Sequence, residues 1–163
     1  GLVLLVDEGW GPALNDGVVI AQSALLAAAL SSILTIAAGR PRPFLYGEKA
    51  PENVRNSSDA SLSFLSGHTT VAFAIATSSW MAMRRLEPNT AYPAWTLAVG
   101  LTLASFVGVA RVMGGNHFIT DAVGGAVVGS STGVLVPALH STPVTVVPQL
   151  SPDKKGVALV GWF

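Results

Sequence analysis

The charged positions of this chain are gathered between long apolar stretches. Residues 17–39, GVVIAQSALLAAALSSILTIAAG, hold 23 positions without a charge. As an α-helix this run would extend about 34 Å, enough to cross the hydrocarbon core of a bilayer. The run after His68, TTVAFAIATSSWMAM, stops at Arg84 and Arg85. Residues 88–110, PNTAYPAWTLAVGLTLASFVGVA, are again 23 uncharged positions and stop at Arg111. Proline suits a first helical turn, so this helix is expected to start near Tyr92 or Pro93. Beyond a Gly114-Gly115 break, NHFITDAVGGAVVGSSTGVLVPAL runs to His140 with Asp121 as its only charge. The pattern therefore predicts about four long helices, rich in the small residues that let backbones approach closely in a bilayer.

Composition sharpens this. Half of the residues are hydrophobic and 11% are charged, against roughly 25% charged in soluble domains. An all-round apolar helix can also be the centre of a soluble bundle, but 163 residues leave too little polar chain to wrap four of them. The fold class is all-α, a membrane-type helical bundle over residues 1–140, with no composition break inside it. Residues 141–163, STPVTVVPQLSPDKKGVALVGWF, form a separate tail, either a short β-hairpin about the turn-like PDKKG or a loose end. Net charge is zero and no long basic run exists, which removes nucleic acid as a partner. There is no cysteine, so disulfides and thiolate metal sites are excluded. The chain opens at Gly1 with no basic segment ahead of its first apolar stretch, so no signal peptide is expected and the N-terminus reads as a cut end.

Helices joined end to end alternate in direction, so the end of the first, the start of the second, the end of the third and the start of the fourth share one face. Arg40 and Arg42, then Ser66-Gly67-His68, then Arg111, then His117 and Asp121 fall there in turn. Seven of the 18 charges, Lys49 among them, sit in the loop between the first two helices. Singly, each feature is commonplace: a basic helix end, an N-cap serine, interfacial arginines. Asp121 is the exception, because an acid one turn inside an apolar helix needs a partner, His117 or an arginine. Together they suit a phosphoryl group. Arg42 and Arg111 match phosphate oxygens with planar forks of donors. Ser66, Gly67 and the start of a helix offer a hydroxyl, a close backbone approach and first-turn N–H groups. His117 and Asp121, four apart, make an oriented nucleophile, and His68 is placed to protonate a leaving oxygen.

These residues resemble the superfamily of type 2 phosphatidic acid phosphatases, bacterial acid phosphatases and vanadium haloperoxidases. The family pattern is Lys, six residues, Arg-Pro; then Pro-Ser-Gly-His; then Ser-Arg, five residues, His, three residues, Asp. Arg42-Pro43, Ser66-Gly67-His68, and Arg111, His117 and Asp121 match it over roughly residues 35 to 121. Thr35 stands at the family lysine, Leu65 at the proline and Ala110 at the serine. Arg40 or Lys49 is expected to replace the missing cation. The resemblance implies that His117 forms a phosphohistidine, Asp121 orients it, and His68 protonates the leaving group. It further implies that Arg42, Arg111, Ser66 and the Gly67 amide hold the phosphate, with no metal or cofactor. Membrane members commonly have six spans, so this bundle is expected to lack its first helices.

The expected function is a metal-independent phosphatase acting on phosphorylated lipids or small phosphoesters, with membrane lipid as its other partner. The place expected for it is a bacterial inner membrane, with the site on the outer side. Two alternatives share the motifs: a haloperoxidase carrying vanadate, and a membrane protein that binds phospholipid without turnover. Counting basic residues alone would put the site loop inside, but those arginines are reserved for chemistry.

Overall fold

The computed structural model of the chain describes residues 10–47, 52–141, 145–151 and 154–160. Four long helices carry it: α1 (Trp10–Ala38), α2 (Gly67–Leu86), α3 (Tyr92–Met113) and α4 (Ile119–Ser141). The α1–α2 connection holds short helical turns at Pro43–Tyr46, Glu52–Arg55 and Ser58–Ser61. In the tail, β1 (Thr145–Ser151) pairs antiparallel with β2 (Lys154–Val160), Thr145 opposite Val160 and Ser151 opposite Lys154. Pro152 and Asp153 of the expected turn lie outside the described residues, as does Lys49.

The apolar pattern located each helix, with two starts displaced: the fourth, expected from Asn116, begins at Ile119, so His117 precedes the helix and does not share a helical face with Asp121. The first was expected from residue 17, after Asp16, yet α1 begins at Trp10. Asp16 is buried and pairs with Arg85 at the end of α2. With its charge matched, the acid no longer ends the helix.

Three of the four helices, α1, α3 and α4, are long and apolar enough to cross a membrane. The exception is α2, and its place explains why: it packs against all three others. Its Thr69, Thr70, Thr77 and Ser78 are buried between neighbours. Thr70 and Thr77 donate their hydroxyl protons to carbonyls one turn back, at 2.9 and 2.8 Å, so burial leaves no donor unmet. The flanking helices instead turn large apolar side chains outward, such as Leu25, Phe106 and Leu139. Closest approach is between α2 and α4. A Cβ at Gly129 would run into the Thr70 carbonyl, and one at Gly133 into Thr77 and the Ala74 carbonyl. Small residues on both helices are thus what lets the central helix seat.

Candidate active site

Two turns bring the motif residues together. Gly39 ends α1 at φ +54° and Gly115 follows α3 at φ +68°, backbone states that side chains strain to adopt. Past Gly39 the chain is stitched to the loop ahead of α2. The Arg42 N–H donates to the Ala60 carbonyl at 2.9 Å, and the Ser63 N–H to the Arg40 carbonyl at 2.8 Å. The Ser66 N–H reaches the Asp121 carbonyl at 3.2 Å, which joins the start of α2 to that of α4.

At this end lies a cavity of about 290 Å³ whose walls include Thr35, Arg42, Gly67, His68, Arg111 and His117. Five of these are the expected phosphate and catalytic residues. Both arginines carry a buried Nε–H without a hydrogen-bond partner among the described residues. An unmet buried donor costs about 1–3 kcal/mol, and anionic oxygens at the cavity would offset that. His68 is exposed at the wall, at the helix opening where first-turn N–H groups have no intrahelical acceptor. Thr35, at the family lysine, donates its hydroxyl proton to the Leu65 carbonyl at 3.3 Å and so braces the loop ahead of Ser66. Exposed Asp59 also lines the cavity and adds a negative charge.

The remaining motif residues sit behind this wall. Ser66 is fully buried; its Oγ accepts from the Thr69 hydroxyl at 2.8 Å, and its N–H is engaged by Asp121. Asp121 is also fully buried. Its Oδ1 takes Arg40 at 2.7 Å, and its Oδ2 takes the Ser63 hydroxyl at 2.5 Å and the Phe118 N–H at 2.9 Å. The Arg40 guanidinium also lies 3.9 Å from the Phe118 ring centre. The partner expected for Asp121 is therefore the arginine. His117 Nδ1 is 3.9 Å from Asp121 Oδ2, beyond hydrogen-bond range.

His117 finds its acceptor elsewhere. Its Nδ1 lies 2.7 Å from the Ser63 carbonyl. A carbonyl only accepts, so Nδ1 carries the proton and Nε2 keeps its lone pair. Burial pushes the His117 pKa below 6.5, and the charges of Arg111 and Arg42 push the same way, against the Ser63 carbonyl and Asp121. The imidazole is thus neutral at neutral pH, the form a nucleophile needs. The pattern of motifs missed Ser63, one of several serines in SLSFLSGH; only its contacts separate it from Ser61.

Comparison with known proteins fits this geometry. The family model of the PAP2 superfamily matches residues 16–144. A lipid A 1-phosphatase of Porphyromonas gingivalis is 38% identical over 82 residues, covering 50% of this chain and 17% of that protein. The crystal structure of a transmembrane PAP2-type phosphatidylglycerolphosphate phosphatase from Bacillus subtilis superposes with a TM-score of 0.61 at 24% identity. That match covers 86% of this chain and 64% of the other. The chain therefore spans less than a fifth of the curated relative and under two thirds of the solved structure.

Proposed function

Because this chain belongs to the PAP2 superfamily, we propose that it is a metal-independent phosphatase of lipid phosphates that works through a phosphohistidine at His117. The carrying observation is a neutral histidine at the wall of a cavity, Nδ1–H tied to a carbonyl, beside two arginines with unmet buried donors. Both relatives are phosphatases of phosphorylated lipids, which supports the same substrate class.

In the reaction, Arg42 and Arg111 bind the phosphoryl oxygens and hold phosphorus before Nε2. The Nε2 lone pair forms the N–P bond as the ester P–O bond breaks. The leaving oxygen takes its electron pair and a proton from His68. Water then attacks phosphorus and gives a proton to His68 as the N–P bond breaks, returning its electron pair to Nε2 and releasing phosphate. Arg40 and Asp121 stay behind the histidine, and Gly67 leaves room at the helix opening.

The chain is a membrane protein. Residues 1–140 are proposed as the phosphatase unit, with 141–163 a tail apart from it. The site is proposed to face outward from a bacterial inner membrane, as the family resemblance implies; with the site arginines set aside, Lys49 and Arg55 balance Arg84 and Arg85, so the basic residues favour neither side. Arg40 pairs with Asp121, while Arg42 and Arg111 line the cavity, so these three are kept for the site.

The test is phosphate release from phosphatidic acid and p-nitrophenyl phosphate by detergent-purified protein in chelator. Activity in wild type and none in His117→Ala is expected. A folded, silent wild type, or an active His117→Ala, would overturn the reading.

A further inference from the structure

We propose that Ser63 is the positioning residue of this site, holding His117 with its carbonyl and Asp121 with its hydroxyl so that the two act without a direct hydrogen bond. The proposal rests on the phosphatase reading of His117. Ser63 is fully buried in the loop ahead of α2 and touches three site residues. Its N–H donates to the Arg40 carbonyl at 2.8 Å, its carbonyl accepts from His117 Nδ1 at 2.7 Å, and its hydroxyl donates to Asp121 Oδ2 at 2.5 Å.

The division of labour follows from donor and acceptor chemistry. With Arg40 on Oδ1, and Ser63 and the Phe118 N–H on Oδ2, the Asp121 carboxylate is engaged on both oxygens. Turning it to accept from Nδ1, now 3.9 Å away, would break charge-assisted bonds. Asp121 therefore serves His117 through space, as a buried negative charge beside a ring that becomes cationic. When Nε2 bonds to phosphorus, the Nδ1 proton stays on the ring. The Ser63 carbonyl, a far weaker base than a carboxylate, holds that proton in place without removing it. Ser63 thus fixes both the tautomer and the distance.

Ser63→Ala tests this, since it deletes the hydroxyl and keeps the carbonyl. Released from Ser63, Oδ2 is freer to favour the protonated ring. The His117 pKa is expected to rise by about 0.5 units or more, read by histidine-selective 15N NMR and assigned with His117→Ala. The kcat is expected to fall about tenfold with KM within about twofold, a change made in the transition state. In an Asp121→Asn background the same substitution is expected to change kcat by less than about threefold, because the two residues act as one unit. An unmoved His117 titration, or an undiminished loss in the Asp121→Asn background, would overturn the proposal. Should Ser63→Ala fail to give folded protein, Ser63→Cys, whose thiol is a weak donor, is measured in its place with smaller shifts of the same sign expected. Failure of both to fold would assign Ser63 to architecture alone and also overturn it. The NMR titration reads Ser63 without turnover, so an inactive wild type would count against the phosphatase reading and not against this one.

Discussion

His117 is set by three neighbours acting in different ways. The Ser63 carbonyl chooses its tautomer, burial together with the two arginines keeps it neutral, and Asp121 stands 3.9 Å away as a buried acid. Its folded-state pKa lies below the unfolded value, so the neutral form is favoured on folding. The stability this contributes is present above the unfolded pKa of about 6.5 and is lost as pH falls through the folded value. The acid limb of kcat/KM for the free enzyme is accordingly expected below pH 6.5, and a limb above it would contradict the burial argument. Arg111→Lys keeps the charge and loses the fork; a drop of about 10- to 100-fold in kcat/KM is expected, measured on phosphatidic acid in mixed micelles. Asp59 works against anions at the same cavity, so Asp59→Asn is expected to raise kcat/KM by about two- to fivefold at low salt, a gain that shrinks as salt is added. Arg42, Arg111, His117 and Asp121 were legible as candidates in the sequence because they fall where long helices end or begin. Ser63 was not, since its role is carried by a backbone carbonyl and a buried contact that no residue type announces. The Arg40–Asp121 pair was half legible: a lone acid in an apolar helix demands a partner, but which cation reaches it depends on how the chain turns at Gly39.

Among the elements, α2 carries both the site and the packing. Its opening presents Gly67 and His68 to the cavity, while its middle buries threonines and serines against α4. The sequence pattern located this helix by its lack of charge, yet treated it like the other three. Its polar small residues make it too weakly apolar for lipid, and only the bundle shows that its neighbours cover it. The N-terminal extension of α1 was hidden for a related reason, as Asp16 reads as a boundary until Arg85 is seen beside it. Contact between α2 and α4 depends on the absence of side chains at Gly129 and Gly133. Gly133→Val is expected to destabilise the bundle by about 1–3 kcal/mol through overpacking, seen as a lower thermal midpoint in detergent. An unchanged midpoint would mean that the helices separate there at no cost.

At the scale of the whole molecule, a polar cavity at one end of a bundle with apolar flanks suits a substrate whose headgroup is cleaved while its tail stays in lipid. Sidedness is open to direct test because the chain has no cysteine. Asn56→Cys in the site loop should react with a membrane-impermeant maleimide from outside intact cells, and Asn89→Cys, in the connection at the other end, only after permeabilisation. The reverse pattern would place the site inside. The central claim is covalent catalysis by His117, and the most direct measurement is rapid quenching during turnover of phosphatidic acid labelled with 32P in its phosphate. A protein-bound label that is stable to alkali, labile to acid and missing from His117→Ala is expected. Turnover without any such label in the wild type, or label that persists in His117→Ala, would contradict it.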